Sequence, residues 1–245
     1  MQNSDSNPHS DSIIEAEGVV KVYDTGRVKV NALNGIDLRV ERGEMVAIMG
    51  PSGCGKTTLL NCLSGLDTIN GGVIKIAGRD LARMSDNQKT RYRATKMGYV
   101  FQSYNLLPVL TALENAEMPL LVSGVKAREA RDRAREALKL VNLESWESHY
   151  PSELSGGQQQ RVTIARALVN SPEIVWGDEP TGNLDSENSE EIMDLLTSLN
   201  RENKQTFVLV THSEAVAERA HRTIRMRDGQ IETESQGLLL GSPTG

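Results

Sequence analysis

Nine consecutive residues at 50–58, GPSGCGKTT, place glycines, a lysine and two threonines at the spacing Gly-x-x-x-x-Gly-Lys-Thr. That pattern builds a cradle for a polyphosphate. Gly50, Gly53 and Gly55, with Pro51, Ser52 and Cys54 between them, let the backbone turn its N–H groups inward, where a side chain at each glycine would interfere. A helix starting at the end of the loop adds the partial positive charge of its N-terminus. Lys56 then reaches the outer phosphates, the Thr57 hydroxyl holds Mg²⁺, and Thr58 completes the loop. A glycine-rich turn before any helix would share the composition. The apolar run EMVAIM at 44–49 reads as a buried strand and TTLLNCLS at 57–64 as a helix, and this strand–loop–helix context separates a phosphate loop from such a turn.

Other residues supply the remaining chemistry of phosphoryl transfer. Asp178 and Glu179 end the apolar run EIVW. A carboxylate at the C-terminal end of a strand beside the phosphate-loop strand suits Mg²⁺, and Asp178 fits that place. Glu179, one residue on, can face the attacking water as a general base. His212 follows TFVLVT at another strand end. Alone it suits a structural role as well as a catalytic one, but strand ends converge on the ligand crevice of such folds, and a neutral imidazole there can bridge the γ-phosphate and Glu179. Gln102 ends MGYVF at the same edge, where its amide can touch Mg²⁺ or the water, or simply enter a loop. LSGGQQQR at 154–161 opens a helix at Ser155, Gly156 and Gly157, leaving early N–H groups for a second anion. Serine is also an ordinary helix cap. One chain has no use for two γ-phosphate sites on one nucleotide, so a head-to-tail pair of chains, each offering its Ser-Gly-Gly to the other's nucleotide, is the economical reading.

The elements that must hold these groups follow from periodicity. Residues 13–49 read as strands, with turns at Thr25-Gly26 and at Glu41-Arg42-Gly43; a strand at 73–76, a helix near 85–95 and a strand at 97–101 follow. From 105 to 169 the pattern is helical. Thr111 caps a helix that Pro119 interrupts, and Ala127, Ala130, Ala134, Leu138 and Val141 share one face of the next. Strands return at 173–176 and 206–210 with a helix at 187–201 between them, then a hairpin turning at Asp228-Gly229. The expected class is α/β: a parallel-sheet nucleotide-binding core with an antiparallel N-terminal β-subdomain and an inserted helical subdomain. The expected organisation is one domain at 13–234, with core and β-subdomain at 13–103 and 166–234 and helical part at 104–165. Tails lie at 1–12, read as disordered, and at 235–245.

Bulk composition narrows the function. A net charge of −6 over 245 residues argues against nucleic acid as partner. No apolar run approaches the roughly 20 residues that span a bilayer, and the polar start MQNSDSNPHSDS carries no secretory signal, so a cytoplasmic location is expected, with any membrane role borne by a partner. The two cysteines, Cys54 and Cys62, cannot make a disulfide framework and lack metal-ligand company.

Together these motifs resemble the ATP-binding cassette (ABC) ATPases over nearly all of residues 13–234. The resemblance implies that Tyr23 stacks on adenine, that Gln158 joins Ser155, Gly156 and Gly157 at the nucleotide, that GNLD at 182–185 brings Asp185 to a dimer seam, and that ATP and Mg²⁺ are the cofactors. Finer matches, among them ALNGIDL, YVFQSYNLLPVLTALENAEMPLL and DEPTGNLDS, are similar to the branch of macrolide-export, lipoprotein-release and cell-division ATPases. That branch implies a homodimer on the inner face of the cell membrane beneath permease subunits, working by export, lipoprotein release or mechanotransmission. Control of cell-wall hydrolysis through a permease-like partner, or a soluble ATPase acting on nucleic acid or ribosomes, are the alternatives. Cys54 stands where serine is commoner, and Trp176-Gly177 where smaller or more apolar residues are, which bears on packing behind the metal site.

Overall fold

The computed structural model describes residues 11–237. In chain order its strands and α-helices are β1 (Ser12–Asp24), β2 (Lys29–Glu41), β3 (Met45–Met49), α1 (Lys56–Leu63), β4 (Gly71–Ile76), β5 (Arg79–Asp80), α2 (Asp86–Lys96) and β6 (Met97–Phe101). These are followed by α3 (Ala112–Val122), α4 (Ala127–Leu140), α5 (Gly156–Leu168), β7 (Ile174–Asp178), α6 (Ser186–Asn203), β8 (Thr206–Val210), α7 (Glu214–Ala217), β9 (Arg222–Arg227) and β10 (Gln230–Gln236).

Two sheets form. One is antiparallel, in the order β2-β1-β4-β5; the other runs β10-β9-β3-β8-β7-β6 and is parallel except for the β9–β10 hairpin. The central parallel strands are apolar throughout because both faces are covered. On β3, Val46 and Ile48 face a core shared with α1 (Leu59, Leu60, Leu63) and the antiparallel sheet (Ile14, Leu38, Ile76). Met45, Ala47 and Met49 face the opposite core, with Val162 and Ile164 of α5 and Ile192 and Leu196 of α6. The two-residue alternation of a strand thus divides one pentapeptide between two layers.

The insertion between β6 and β7 is helical. α3 continues through Pro119 rather than being interrupted there. Proline removes one donor from a helix, and here a capping box at Thr111 and burial of Ala112, Leu113, Ala116 and Leu120 outweigh that loss. On α4 the buried face is Ala130, Ala134, Ala137 and Leu138, while Ala127 is exposed at the first turn. Ser12, assigned to a tail by sequence, opens β1 opposite Glu41, and Ser235 and Gln236 pair with Thr223 and Arg222 in the final hairpin. The rest of the expected tails, residues 1–10 and 238–245, lies outside the described residues.

A buried amide ties the helical insertion to the sheet. Gln160 on α5 is fully buried, donates through Nε2 to the Pro180 carbonyl just beyond β7, and accepts from the Thr163 hydroxyl at 3.1 Å. Gln160→Met keeps the volume and leaves that carbonyl unpaired, so we expect a loss of about 1–3 kcal/mol. A lower urea midpoint with unchanged far-UV circular dichroism is the expected result; an unchanged midpoint would remove the tie from the account.

Candidate active site

The C-terminal ends of β3, β8, β7 and β6 finish at one edge of the parallel sheet, in register from Ile48↔Val210 through Asp178↔Val210 to Phe101↔Asp178. The strand carrying Asp178 is not beside the phosphate-loop strand, as its Mg²⁺ role led us to expect: β8 lies between them. The separation is bridged at the sheet edge, where the Thr57 hydroxyl approaches Asp178 at 3.3 Å to Oδ1 and 3.5 Å to Oδ2.

The phosphate loop joins β3 to α1 and needs glycine at both ends. Gly50 has φ of 149° and Gly55 of 105°. A Cβ on Gly50 would lie 2.2 Å from the Met226 carbonyl oxygen, and one on Gly55 2.5 Å from that of Ala32, both backbone atoms. The β9–β10 turn props the loop from outside: Gly229 N–H donates to the Cys54 carbonyl at 3.0 Å, and Asn34 Nδ2 donates to the Asp228 carbonyl at 2.9 Å. Within the loop, Lys56 Nζ donates to the carbonyls of Gly50 (2.8 Å) and Pro51 (3.0 Å). Cys54 is a buried free thiol, and no disulfide joins it to Cys62. Trp176 is buried on the α1 side of the sheet, two residues before Asp178, with its indole N–H unpartnered.

A cleft of about 660 Å³ opens here. Tyr23, Ser52, Gly53, Gly55, Lys56, Thr57, Thr58, Asp178 and Glu179 line it, together with Asn31, Asn34, Asp228 and Gly229 from distant segments. Asn34 falls within ALNGIDL and Asp228-Gly229 were read as a turn, but nothing in the sequence marked any of these four as site residues; only the fold delivers them. Burial pushes the Asp178 carboxyl up, and the neighbouring Glu179 charge adds to this, while the Thr57 hydroxyl and Lys56 oppose it. A carboxylate in that position gains from a cation, and carboxylate plus hydroxyl oxygens are the donor set that suits Mg²⁺. Among the described residues no group of three or more His, Cys, Asp or Glu side chains gathers elsewhere for a metal.

Glu179 adopts φ of 50°, in the left-handed region, a strained choice for a residue with a Cβ. The turn is held by Glu179 N–H donating to the Val210 carbonyl at 2.9 Å and by the Glu179 carbonyl accepting from Gly182 N–H at 3.0 Å. Its carboxylate receives His212 N–H at 3.3 Å and lies 2.8 Å from His212 Nδ1. A carboxylate accepts only, so Nδ1 carries the proton and Nε2 is left free. The Glu179 side chain is 17% exposed and that of His212 73%.

The remaining motif residues form a second surface. Ser155 caps α5 in a reciprocal box with Gln158: Ser155 Oγ accepts from Gln158 N–H at 3.3 Å and Gln158 Oε1 from Ser155 N–H at 2.9 Å. The box uses neither the Gly156 nor the Gly157 N–H. Asp185 caps α6, accepting from Asn188 N–H at 2.8 Å, and its bonds to Asn188 hold its carboxyl below the usual range. The two caps abut, since a Cβ on Gly157 would meet Asn188 Oδ1 at 2.2 Å. Gln102 belongs to this surface: its Nε2 donates to Asn183 Oδ1 at 3.1 Å and its carbonyl accepts from Asn183 Nδ2 at 2.9 Å. None of Gln102, Ser155, Gly156, Gly157, Gln158 or Asp185 lines the cleft, and His212 lies outside its lining too, reaching it only through Glu179.

Residues 33–182 match the ABC transporter family, and the chain belongs to that family of ATP-binding, ATP-hydrolysing cassettes. It is 49% identical over 230 residues to an uncharacterized ABC transporter ATP-binding protein of Thermotoga maritima, covering 94% of this chain and 98% of that one. It is 46% identical over 225 residues to the macrolide export ATP-binding/permease protein MacB of Syntrophobacter fumaroxidans, covering 91% of this chain but 32% of that larger protein. Its fold superposes on the dimeric, post-hydrolysis structure of the ATP-binding cassette MJ0796 bound to ADP and Pi with a TM-score of 0.84 at 44% identity, over 94% of this chain and 100% of that one. No helix among the described residues is long and apolar enough to cross a membrane.

The raised Asp178 carboxyl predicts a stability effect with a defined sign. An acid whose folded pKa lies above its unfolded value costs stability once pH exceeds the folded value, and that cost disappears below the unfolded value. With nucleotide absent and Mg²⁺ chelated, Asp178→Asn should therefore melt higher than the parent at pH 7, and the gain should vanish as pH falls below about 4. A variant that melts lower at pH 7 would contradict the assignment of burial as the dominant influence on Asp178.

Proposed function

We propose that two copies of this chain bind two ATP molecules head to tail, each nucleotide lying between the cleft of one copy and the Ser155–Asp185 surface of the other. The observation that carries this reading is the division of motif residues into two surfaces on one chain, with only the first lining the cleft. An anion held in the cleft by Lys56 leaves the Gly156 and Gly157 N–H groups without an anion on the same chain; a second copy supplies it. The dimeric MJ0796 cassette supports the same arrangement.

In the cleft, Tyr23 stacks on adenine, and the N–H groups of residues 50–58 cradle the phosphates with Lys56. Thr57 and Asp178 would hold Mg²⁺, which when bound supplies charge neutralisation on the phosphate oxygens. Glu179, oriented by His212 Nδ1, accepts a proton from water as the water oxygen attacks the γ-phosphorus and the bond to the β-phosphate oxygen breaks, giving ADP and phosphate. His212, which joins the cleft through Glu179, would offer its Nε2 to the γ-phosphate. Nucleotide closes the pair by linkage: a ligand at 100 times its dissociation constant adds about 2.7 kcal/mol to the state that binds it.

Gln102 and the helical insertion pass closure to a membrane permease. The relation to MacB, a macrolide export ATP-binding/permease protein, supports a permease partner and export as the output; the inner face of the membrane, and lipoprotein release or mechanotransmission as other outputs, follow from the wider resemblance alone. The net charge of −6 disfavours nucleic acid as the target.

Glu179→Gln should retain ATP binding, lower turnover by roughly 10²–10⁴, and accumulate as an ATP-bound dimer in light scattering. Hydrolysis at the parent rate would refute the role of Glu179. Lys56→Ala should instead weaken nucleotide binding in titration calorimetry, and an unchanged affinity would remove the lysine from the phosphate site.

A further inference from the structure

Tyr23 is not a free aromatic on the rim of the cleft. Its hydroxyl donates to Asp67 Oδ2 at 2.7 Å. The Lys21 ammonium sits over its ring, 4.8 Å from the centroid. That ammonium is itself fixed, donating to Asp67 Oδ1 at 2.6 Å and to the Thr68 carbonyl at 2.7 Å, with its side chain only 8% exposed. Asp67 Oδ1 also accepts from Thr68 N–H at 2.7 Å. Burial alone would raise the Asp67 carboxyl, but the bonds from Lys21, Tyr23 and Thr68 hold it below the usual carboxylate range. The group is ionised, and its two oxygens together take three donors.

The segment carrying Asp67 is anchored at both ends. The N–H groups of Leu66 and Asp67 donate to the Asn61 carbonyl of α1 at 2.9 and 3.0 Å. Asn70 laces the segment to β1, donating from its N–H to the Val20 carbonyl and accepting Val22 N–H, both at 2.8 Å. α1 therefore carries the phosphate loop at its N-terminus and, through the Asn61 carbonyl, anchors the segment whose Asp67 holds Tyr23 at the same cleft.

We propose that Asp67 is a positioning residue for the nucleotide base: with Lys21 it clamps Tyr23 as a stacking platform with one open face in the cleft that the phosphate loop lines. The inference rests on the reading of Tyr23 as the adenine contact. It assigns to a half-buried ion pair outside every motif a share in choosing a base-bearing triphosphate over a bare one. Asp67 touches no substrate and acts through Tyr23.

The test compares binding of ATP and of inorganic tripolyphosphate, which engages the phosphate loop but has no base, to the full chain in the presence of Mg²⁺. Tyr23→Ala should weaken ATP about tenfold through lost stacking. Asp67→Asn should weaken ATP about three- to tenfold by freeing the ring, with the loss in KM rather than kcat, and should leave tripolyphosphate affinity at the parent value. Tyr23→Phe keeps the ring and the ion pair and removes only the hydroxyl. It should reproduce the Asp67→Asn loss, and the double variant should be no weaker than either single one. Equal losses of ATP and tripolyphosphate in both single variants would reduce the ion pair to general scaffolding and overturn the proposal. So would parent ATP affinity in Asp67→Asn and Tyr23→Phe while Tyr23→Ala loses it. Parent affinity in Tyr23→Ala would overturn the clamp by a different route, because the base platform itself would be absent.

Discussion

The parallel register of β3, β8, β7 and β6 is the constraint from which the site follows. Parallel strands all present their C-terminal ends at one edge, and each end here terminates in a functional group: the phosphate loop after Met49, His212 after Val210, Asp178 with Glu179, and Gln102 after Phe101. Gly50 and His212 lie 162 positions apart in the chain, and no local interaction could gather these residues. What makes the register unique is burial on both faces: a shift of one residue would exchange Val46 and Ile48 for Met45 and Ala47 between two differently shaped cores.

A continuous series of contacts leads from that edge to the second surface. Glu179 accepts Gly182 N–H, Gly182 lies against the Gln102 amide, Gln102 is doubly bonded to Asn183, Leu184 lies against Gly156, and Asn188 of the Asp185 cap fills the space beside Gly157. Gln160 crosses the same junction from α5 to Pro180. The residue that handles water and the residues that would meet a second copy's nucleotide are thus built on adjoining turns. Movement of one disturbs the other because close-packed contacts of this kind deform little. This is a physical basis for linking hydrolysis to the opening of a pair.

Much of this was legible in the sequence because the chemistry is local in the chain. The phosphate loop, the Asp178-Glu179 pair and the Ser155 helix start are each defined by a few consecutive residues, and their glycines answer to geometric demands that hold wherever the loop occurs. Strand order was less legible. The Mg²⁺ role read for Asp178 put β7 beside β3, whereas β8, later in the chain, inserts between them. The clamp of Lys21, Asp67 and Tyr23 was illegible: a lysine on one strand and an aspartate after a helix have no spacing rule, and only the folded path of β1 beside residues 65–70 joins them. The hairpin at Asp228-Gly229 was correctly read as a turn, but its role as a prop under Cys54 depends on tertiary contact alone. Pro119 misled because the one hydrogen bond it forfeits is a small term beside the burial of both flanks of α3.

The central claim is that each active site draws its phosphate loop from one copy and its Ser-Gly-Gly from the other, and mixing two inactive variants tests it most directly. Lys56→Ala damages the first half-site and Ser155→Arg the second. In a head-to-tail pair formed from one of each, both lesions fall in one site and the other site is intact. The account predicts that each variant alone neither dimerises on ATP nor hydrolyses it, and that the mixture does both. A mixture as inactive as its components, while a parent chain treated in the same way dimerises, would contradict it.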